Sequence, residues 1–344
     1  MATPRSMIVD ESVTPFYHCV SRCVRRAFLC GEGAEHRKQW IENRLKELVG
    51  IFAIDCAGYA IMDNHLHLLL RLDSRRAEGW TPEEVARRWL TLFPLRSCDY
   101  SALPVSESRV AELAGDADWI ANTRKKLVDL GWFMKCLKEP LARIANKEDG
   151  CTGAFWEGRF KSVAVLDDQA LLATAAYIDL NPVAAGISPT PEISPHTSVH
   201  ARVEHCRANG TLDTLRDELS TQTHNLEQEK DLWLIPVDDR RDFGDARPGL
   251  IPGLTLSCYL RLVDWTSRLI REGKACVSPE VAPIFERLKT DPAEWEVMMG
   301  WMLTRVKRTG CHFGGRRRLR EAAHARGKRW HRNQVPLSPP RQAA

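Results

Sequence analysis

Apolar and polar residues alternate in several short stretches near the start of the chain, and each stretch predicts an element of secondary structure. Residues 16–24 are rich in strand-forming side chains and predict a first β-strand. Residues 35–49 repeat apolar side chains at helical spacing, and Gly50 predicts the end of that helix. Residues 52–62 predict a second strand. The chain therefore opens with a strand, a helix and another strand.

The next stretch, residues 61–70, carries two histidines separated by one leucine inside an apolar run. Asp63 and Asn64 precede it, and such residues favour the tight turn that joins two antiparallel strands. The sequence thus predicts that residues 52–62 and the strand of His65 and His67 form a hairpin.

Side chains two apart in a strand lie on one face. His65 and His67 therefore share a face, whereas Leu66 and Leu68 point to the opposite, buried one. Two neutral imidazoles side by side make half of a divalent-metal site. A pair of solvent-facing histidines explains the same pattern, so the rest of the chain has to decide.

A long segment with helical patterns follows. Residues 74–139 read as helices and loops, and Thr81 followed by Pro82 is typical of a helix start. Another helix is predicted to begin near Asp116, and a third covers residues 132–147. These helices form an insertion between the histidine strand and the next predicted strand.

The sheet and its helices then resume. Residues 161–166 predict a short strand, and a helix is predicted over residues 169–180, stopped by Pro182 and Gly186. The order β-α-β-β, helical insertion, β-α favours an α+β sandwich with a central antiparallel sheet.

The domain organisation is predicted from a change in composition. A Pro-rich stretch at 188–191 separates a first domain, residues 1–195 with the insertion at about 74–131, from a mainly helical region. That region covers residues 196–304, and residues 305–344 form a basic tail.

Composition limits the class of protein. The chain has 344 residues, of which 44% are hydrophobic and 27% charged, as in ordinary globular proteins. It has neither a long apolar run nor a signal-peptide pattern, so we expect a cytoplasmic, nucleoid-associated protein without a membrane partner. The 11 cysteines include no Cys-x-x-Cys pair and are expected to be reduced thiols.

Charge is distributed unevenly. The net charge is +4, yet residues 305–344 alone contain 12 Lys and Arg against one acid. Such a tail is typical of a segment that binds a polyanion, most often nucleic acid, although a solvated tail has the same composition. We expect Arg316, Arg317 and Arg318 to contact DNA phosphates.

A second candidate site lies at the end of the last predicted helix. Tyr177 and Asn181 are four residues apart and therefore share one helical face. If that helix packs on the sheet, the phenol and the carboxamide would meet the two imidazoles. Alternatively, Tyr177 belongs to the core and Asn181 caps the helix before a proline.

Between these sites, residues 155–161 interleave aromatic and basic side chains. This pattern suits single-stranded nucleic acid, since cations follow the phosphates while rings stack on bases. Trp156 and Phe160 fit equally well in a hydrophobic core. The cations Arg159 and Lys161, together with Arg22 on the first strand, are candidate DNA contacts.

Four segments in this order together resemble the single-tyrosine HUH transposases, specifically the REP-associated tyrosine transposase branch. The resemblance covers roughly residues 10–190. The segments are Tyr17-His18-Cys19-Val20-Ser21-Arg22, Met62-Asp63-Asn64-His65-Leu66-His67, Phe155-Trp156-Glu157-Gly158-Arg159-Phe160 and Tyr177-Ile178-Asp179-Leu180-Asn181-Pro182-Val183-Ala184-Ala185-Gly186.

The resemblance implies a role for each matching residue. His65 and His67 would bind the metal as the histidine–hydrophobic–histidine motif, and Tyr177 would be the nucleophile. Asn181 takes the place of the third ligand, where some relatives have Gln or an acid. Ala184 stands where the family often has Arg, which removes one possible phosphate contact. The implied fold is ferredoxin-like or RRM-like.

The implied reaction is the nicking and rejoining of single-stranded, hairpin-forming DNA through a 5′-phosphotyrosine, with Mg²⁺ or Mn²⁺ and a monomer or homodimer. A tyrosine phosphodiester conserves the bond energy, so strands can be rejoined without ATP. Two other functions remain open. One is a DNA-binding regulator that no longer cleaves, and the other is a metal-dependent phosphodiesterase that uses water.

Overall fold

A computed structural model describes residues 8–98, 101–212, 229, 231–240, 248–272, 291–303 and 310–328. The strands are β1 Phe16–Arg22, β2 Ile54–Ile61, β3 His65–Leu72, β4 Lys161–Val165 and β5 His312–Phe313. The helices are α1 His36–Ile51, α2 Ser74–Glu78, α3 Pro82–Leu92, α4 Glu107–Ala114, α5 Ala117–Lys126, α6 Leu130–Glu148, α7 Asp168–Ala184, α8 Ser198–Ala208, α9 Leu256–Glu272, α10 Pro292–Leu303 and α11 Arg316–His324.

The five strands form one mixed sheet in the order β2-β3-β1-β4-β5. All neighbouring strands are antiparallel except β4 and β5, which run parallel. The first four strands, with α1 and α6 as the crossing helices, have the arrangement of a ferredoxin-like β-α-β-β-α-β unit. The predicted α+β class is therefore confirmed, as is the hairpin of β2 and β3. The sheet, predicted to be antiparallel, is so except for the parallel pairing of β4 with β5.

The sheet is covered on both faces, and this decides where the histidines lie. Leu66 and Leu68 belong to the cluster that packs against α1 and α6, as predicted. Leu69, on the same face as His67, belongs to a second cluster formed with α7. Strand alternation therefore directs the histidine face of β3 toward α7.

The predicted starts of α3 and α5 were correct, and both are fixed by side-chain caps. Thr81 and Glu84 form a capping box at the start of α3, with Pro82 in the first turn. Asp116 accepts a hydrogen bond from the N–H of Trp119 and caps α5. Local hydrogen bonds of this kind need no tertiary partner, so the sequence predicts them well.

Gly50 does not end α1, contrary to the prediction. The helix continues to Ile51, and the N–H of Phe52 still donates to the carbonyl of Leu48 at 2.9 Å. Ile51 and Phe52 are buried in the core. Burial of two large apolar side chains outweighs the cost of about 1 kcal/mol for glycine in a helix.

Pro182 does not end α7 either, because the helix runs through it to Ala184. Proline removes one helical hydrogen bond, but the N–H of Ala185 closes the following turn on the carbonyl of Asn181 at 2.9 Å. Gly186 then adopts a φ of 72°, which favours glycine and ends the helix as predicted.

Part of the chain beyond residue 195 belongs to the same sheet and core. β5 lies beside β4, and Leu319 of α11 packs in the cluster with α1 and α6. We therefore find folded structure inside the predicted basic tail, of which residues 305–309 and 329–344 lie outside the described residues. The domain division at 195 stays a prediction.

Asp179 connects α7 to the helices that follow it. Its buried carboxylate accepts hydrogen bonds from Ser198 Oγ at 2.6 Å, from the N–H of Val199 at 2.9 Å and from the hydroxyl of Tyr259. Burial raises the pKa of Asp179, while these three donors oppose the rise. The network fixes the half of α7 that carries Tyr177.

No helix among the described residues is long and apolar enough to cross a bilayer. The ten described cysteines are all free thiols.

Replacing Tyr259 with Phe leaves Asp179 with one donor fewer. We expect a loss of about 1.5–3 kcal/mol in unfolding free energy near neutral pH, measured by urea titration. Because the pKa of Asp179 is already raised, acidification protonates it and the loss should shrink as the pH falls. Asp264→Asn is the control. It changes a partly exposed acid of α9 whose ion pair with Arg268 lies at the surface, so it should have little effect. An equal loss in both variants would contradict the assignment.

Candidate active site

The histidine pair lies on β3, one strand from the edge of the sheet formed by β2. His65 is opposite Arg22 of β1, and His67 is opposite Val20 of β1 and Ala60 of β2. The two rings meet edge to face with centroids 4.9 Å apart. His67 is buried and His65 is half-buried. The alternative that both histidines simply face solvent is therefore excluded.

Tyr177 of α7 lies against this pair. Its ring centroid is 5.4 Å from that of His67, and the two rings are perpendicular. The side chain is only 8% exposed and belongs to the cluster of α7 with the sheet. Packing of α7 on the sheet thus brings together side chains 110 positions apart in the sequence, as the helical spacing had suggested.

His18 of β1 is a third imidazole at this place, and the sequence interpretation gave it no role. Its Nε2 atom lies 2.9 Å from Nδ1 of His67, within hydrogen-bonding distance. Its ring stacks on His67 at 5.2 Å and meets Tyr177 edge to face at 5.8 Å. Only the register of β1 against β3 reveals this contact. The available signal was the alternation that places His18 and Arg22 on one face.

The hydrogen bonds of the two β3 histidines indicate which ring nitrogen carries the lone pair. Nδ1 of His65 lies 2.6 Å from Oδ1 of Asn64, which can only accept, so Nδ1 carries the proton and Nε2 the lone pair. If Nδ1 of His67 donates to His18, its Nε2 atom likewise carries the lone pair. This is the arrangement in which second-shell partners orient metal-binding imidazoles.

The charge state of His65 follows from its surroundings. Burial lowers its pKa to about 4, and the guanidinium of Arg22 opposite adds to the decrease. The imidazole is therefore neutral near pH 7, and no proton competes for its lone pair.

Asn181 lies one helical turn beyond Tyr177 on α7 and is half-buried. Its Nδ2 atom donates to the carbonyl of Tyr177 at 2.7 Å, which leaves Oδ1 as the atom suited to a cation. The side chain thus has a local structural role, and its role as a ligand stays a prediction.

Three of the predicted DNA contacts lie near the His65 end of β3. Arg22 of β1 is opposite His65. Lys161 of β4 is paired with Val20 of β1 and therefore lies on the same face of the sheet as Val20 and Arg22. Arg159 is exposed two residues before Lys161. Trp156 and Phe160 are instead buried in the core, so they are not available for base stacking.

Arg316, Arg317 and Arg318 lie elsewhere. They begin α11 beside the start of α7, where the N–H of Gly315 donates to Asp167 at 2.6 Å. Arg318 also donates to the carbonyl of Leu166 at 3.1 Å. Ten residues of α7 separate this place from Tyr177, or about 15 Å along the helix. These arginines are therefore not brought to the histidine pair.

Comparisons with known proteins give little further information. No protein-family model matches the chain, and no curated protein matches its sequence. A solved structure of a REP-associated tyrosine transposase bound to a REP hairpin matches over 55% of this chain and 78% of that chain. The identity is 14% and the TM-score 0.32, so functional inference has to rest on the side chains themselves.

The metal-free protein offers a direct test of the His65 environment. We expect its imidazole to titrate near pH 4 in an NMR titration, well below the ordinary value of 6.5, with the Nδ1–H tautomer dominant. Since the unfolded chain takes up this proton at higher pH, stability should fall as the pH drops from 6.5 toward 4. The variant Arg22→Gln should raise the pKa, whereas Arg75→Gln, at the opposite end of β3, should not.

Proposed function

We propose that this protein is a DNA strand transferase that cleaves single-stranded DNA with Tyr177 as the nucleophile. The observation that carries the proposal is the packing of the Tyr177 ring against His67 and His18. We infer from this contact that the hydroxyl of Tyr177 attacks a phosphodiester held by the histidine pair.

The reaction can be written from the residues of the chain. The phenolic oxygen of Tyr177 forms a bond to phosphorus while the bond from phosphorus to the 3′ oxygen breaks. The 3′ oxygen leaves with the electron pair and takes up a proton, and the phenolic proton is released to solvent. The product is a 5′-phosphotyrosine and a free 3′-hydroxyl, and attack by another 3′-hydroxyl reverses the step.

We propose that the site binds a divalent cation of the Mg²⁺ or Mn²⁺ type. Among the described residues, no three His, Cys, Asp or Glu side chains are placed to hold a metal. The proposal therefore includes Asn181 as the third protein ligand, as the sequence resemblance implies. His65 and His67 would bind through Nε2 and Asn181 through Oδ1. A cation held there would neutralise the charge that develops on the scissile phosphate. A phenol has an ordinary pKa of about 10 and benefits from such help.

We infer the substrate class from the charges around the site. Arg22, Arg159 and Lys161 lie near the His65 end of β3 and would contact phosphates there. A phosphodiester must come within bonding distance of a largely buried tyrosine, which a single strand achieves more easily than a duplex. We extend the proposal to hairpin-forming DNA because of the sequence motifs described above.

Two alternatives give different results in the same experiment. A DNA-binding regulator would bind DNA without cleaving it, even in Mn²⁺. A phosphodiesterase that uses water would cleave without forming a covalent protein–DNA bond. We favour the strand transferase because Tyr177 meets the imidazoles directly.

Replacing Tyr177 with Phe keeps the ring packing and removes the nucleophilic oxygen. We expect the covalent adduct with labelled single-stranded hairpin DNA to disappear, measured by denaturing gel in Mg²⁺ or Mn²⁺. The variant Tyr59→Phe removes a hydroxyl on the opposite face of the sheet and should retain the adduct. An adduct of wild-type yield in Tyr177→Phe would refute the assignment.

The third ligand can be tested separately. Asn181→Ala should weaken Mn²⁺ binding by at least about tenfold, because one of three protein ligands is lost. Electron paramagnetic resonance of Mn²⁺ measures this without any reaction. Asn181→Asp keeps an oxygen ligand and should bind Mn²⁺ at least as tightly as the wild type. If the wild type and both variants bind Mn²⁺ equally, Asn181 is not a ligand of the metal.

A further inference from the structure

The segment between β1 and α1 forms an exposed loop beside the histidine pair. It starts at Cys23 and ends at Cys30, both of which are buried, while Arg25, Arg26 and Phe28 between them are exposed. We call residues 24–29 the arginine loop. Its ends are fixed in the core, and its middle projects outward.

The arginine loop is attached to the turn that immediately precedes His65. The N–H groups of Cys23 and Cys30 donate to the carbonyls of Asn64 and Asp63, each at 2.8 Å. Nδ2 of Asn64 donates to the carbonyl of Arg26 at 3.2 Å. The side-chain oxygen of Asn64, Oδ1, lies 2.6 Å from Nδ1 of His65. One asparagine therefore contacts both the loop and the histidine site.

The backbone of the arginine loop is held in an unusual conformation. Arg25 and Arg26 have φ values of 53° and 58°, in the left-handed region that residues with a side chain seldom adopt. Such a conformation costs of order 1 kcal/mol or more per residue and persists only where surrounding contacts enforce it. Here it turns two consecutive long cationic side chains toward solvent.

Arg25 and Arg26 are exposed cations of this loop. In the part of the chain that the structure describes, Arg25 and Arg26 form no ion pair, whereas Lys38 nearby pairs with Asp63 at 2.6 Å. Residues 22–33 and 155–161, which adjoin each other here, contain five cations and two acids. The resulting positive charge is complementary to a polyanion.

Phe28 adds a flat apolar surface to this charge. It is 67% exposed, more than any other large hydrophobic side chain that the structure describes. Its exposed ring offers an apolar face on which a base can stack. An exposed ring flanked by unpaired arginines is the combination that binds single-stranded nucleic acid, by stacking on a base and contacting its phosphates.

We propose that the arginine loop is a clamp for single-stranded DNA next to the scissile phosphate. Phe28 stacks on one unpaired base, and Arg25 and Arg26 contact the phosphates on either side of it. The loop thereby sets the position of the strand relative to His65, to which Asn64 connects it. The position relative to cleavage rests on the proposed function, whereas strand binding by the loop does not.

The test uses the full-length protein and a fluorescein-labelled single-stranded oligonucleotide, with binding followed by anisotropy at several salt concentrations in EDTA. We expect Phe28→Ala to weaken binding about tenfold with little change in the salt slope, because stacking is not ionic. The double variant Arg25→Gln, Arg26→Gln should reduce the slope by about 1.4, as expected for two phosphates.

Matched variants control for general effects. Phe93→Ala removes an aromatic ring that is 43% exposed on the helical insertion, and Arg75→Gln removes an exposed cation at the opposite end of β3. Both should bind like the wild type. All these side chains are exposed, so thermal unfolding should be unchanged and loss of binding cannot reflect misfolding.

The outcomes separate the two proposals. If Phe28→Ala and the double Gln variant bind like their controls while Tyr177 still forms an adduct, the clamp is wrong and the strand transferase stands. If binding depends on Phe28 but the wild type forms no adduct in Mn²⁺, strand binding by the loop stands and the transferase fails. A wild type that does not bind single-stranded DNA overturns both.

Discussion

The antiparallel pairing of β1 with β3 is the constraint on which the site depends. The register sets Arg22 opposite His65 and Val20 opposite His67, and it brings His18 to 2.9 Å from the His67 ring. A shift by one residue would turn every one of these side chains to the other face of the sheet. The leucines of β3 prevent that shift, because they fill the core under α1 and α6.

Burying polar side chains under a packed helix removes their hydrogen bonds to water, and specific partners in the site replace some of these bonds. A buried imidazole loses hydration, which favours its neutral form, as the low pKa of His65 reflects. His18 and Asn64 supply hydrogen bonds to the ring nitrogens. On the helix side, the buried carboxylate of Asp179 anchors α7 to its neighbours, two residues from Tyr177. The same contacts that satisfy buried polar groups therefore orient the reactive ones.

The elements that were predicted well are those determined by local rules. The capping box of Thr81 and Glu84 and the two-residue spacing of His65 and His67 depend only on neighbouring residues. The helix ends at Gly50 and Pro182 were predicted wrongly, since burial of Ile51 and Phe52 and the packing of α7 outweighed the local preferences. Strand β5 was not predicted, because two residues carry no periodic pattern and the strand exists only through its pairing with β4.

By itself, the sequence determined the α+β order, the shared face of the two histidines, and the helical spacing of Tyr177 and Asn181. These features follow from periods of two and 3.6 residues, which hold for any chain. Only the tertiary structure decided that His18 joins the site, that Trp156 and Phe160 are core residues, and that Arg316 to Arg318 lie at the far end of α7. Each of these depends on contacts between residues far apart in the chain, and no local pattern records which distant segment will become a neighbour.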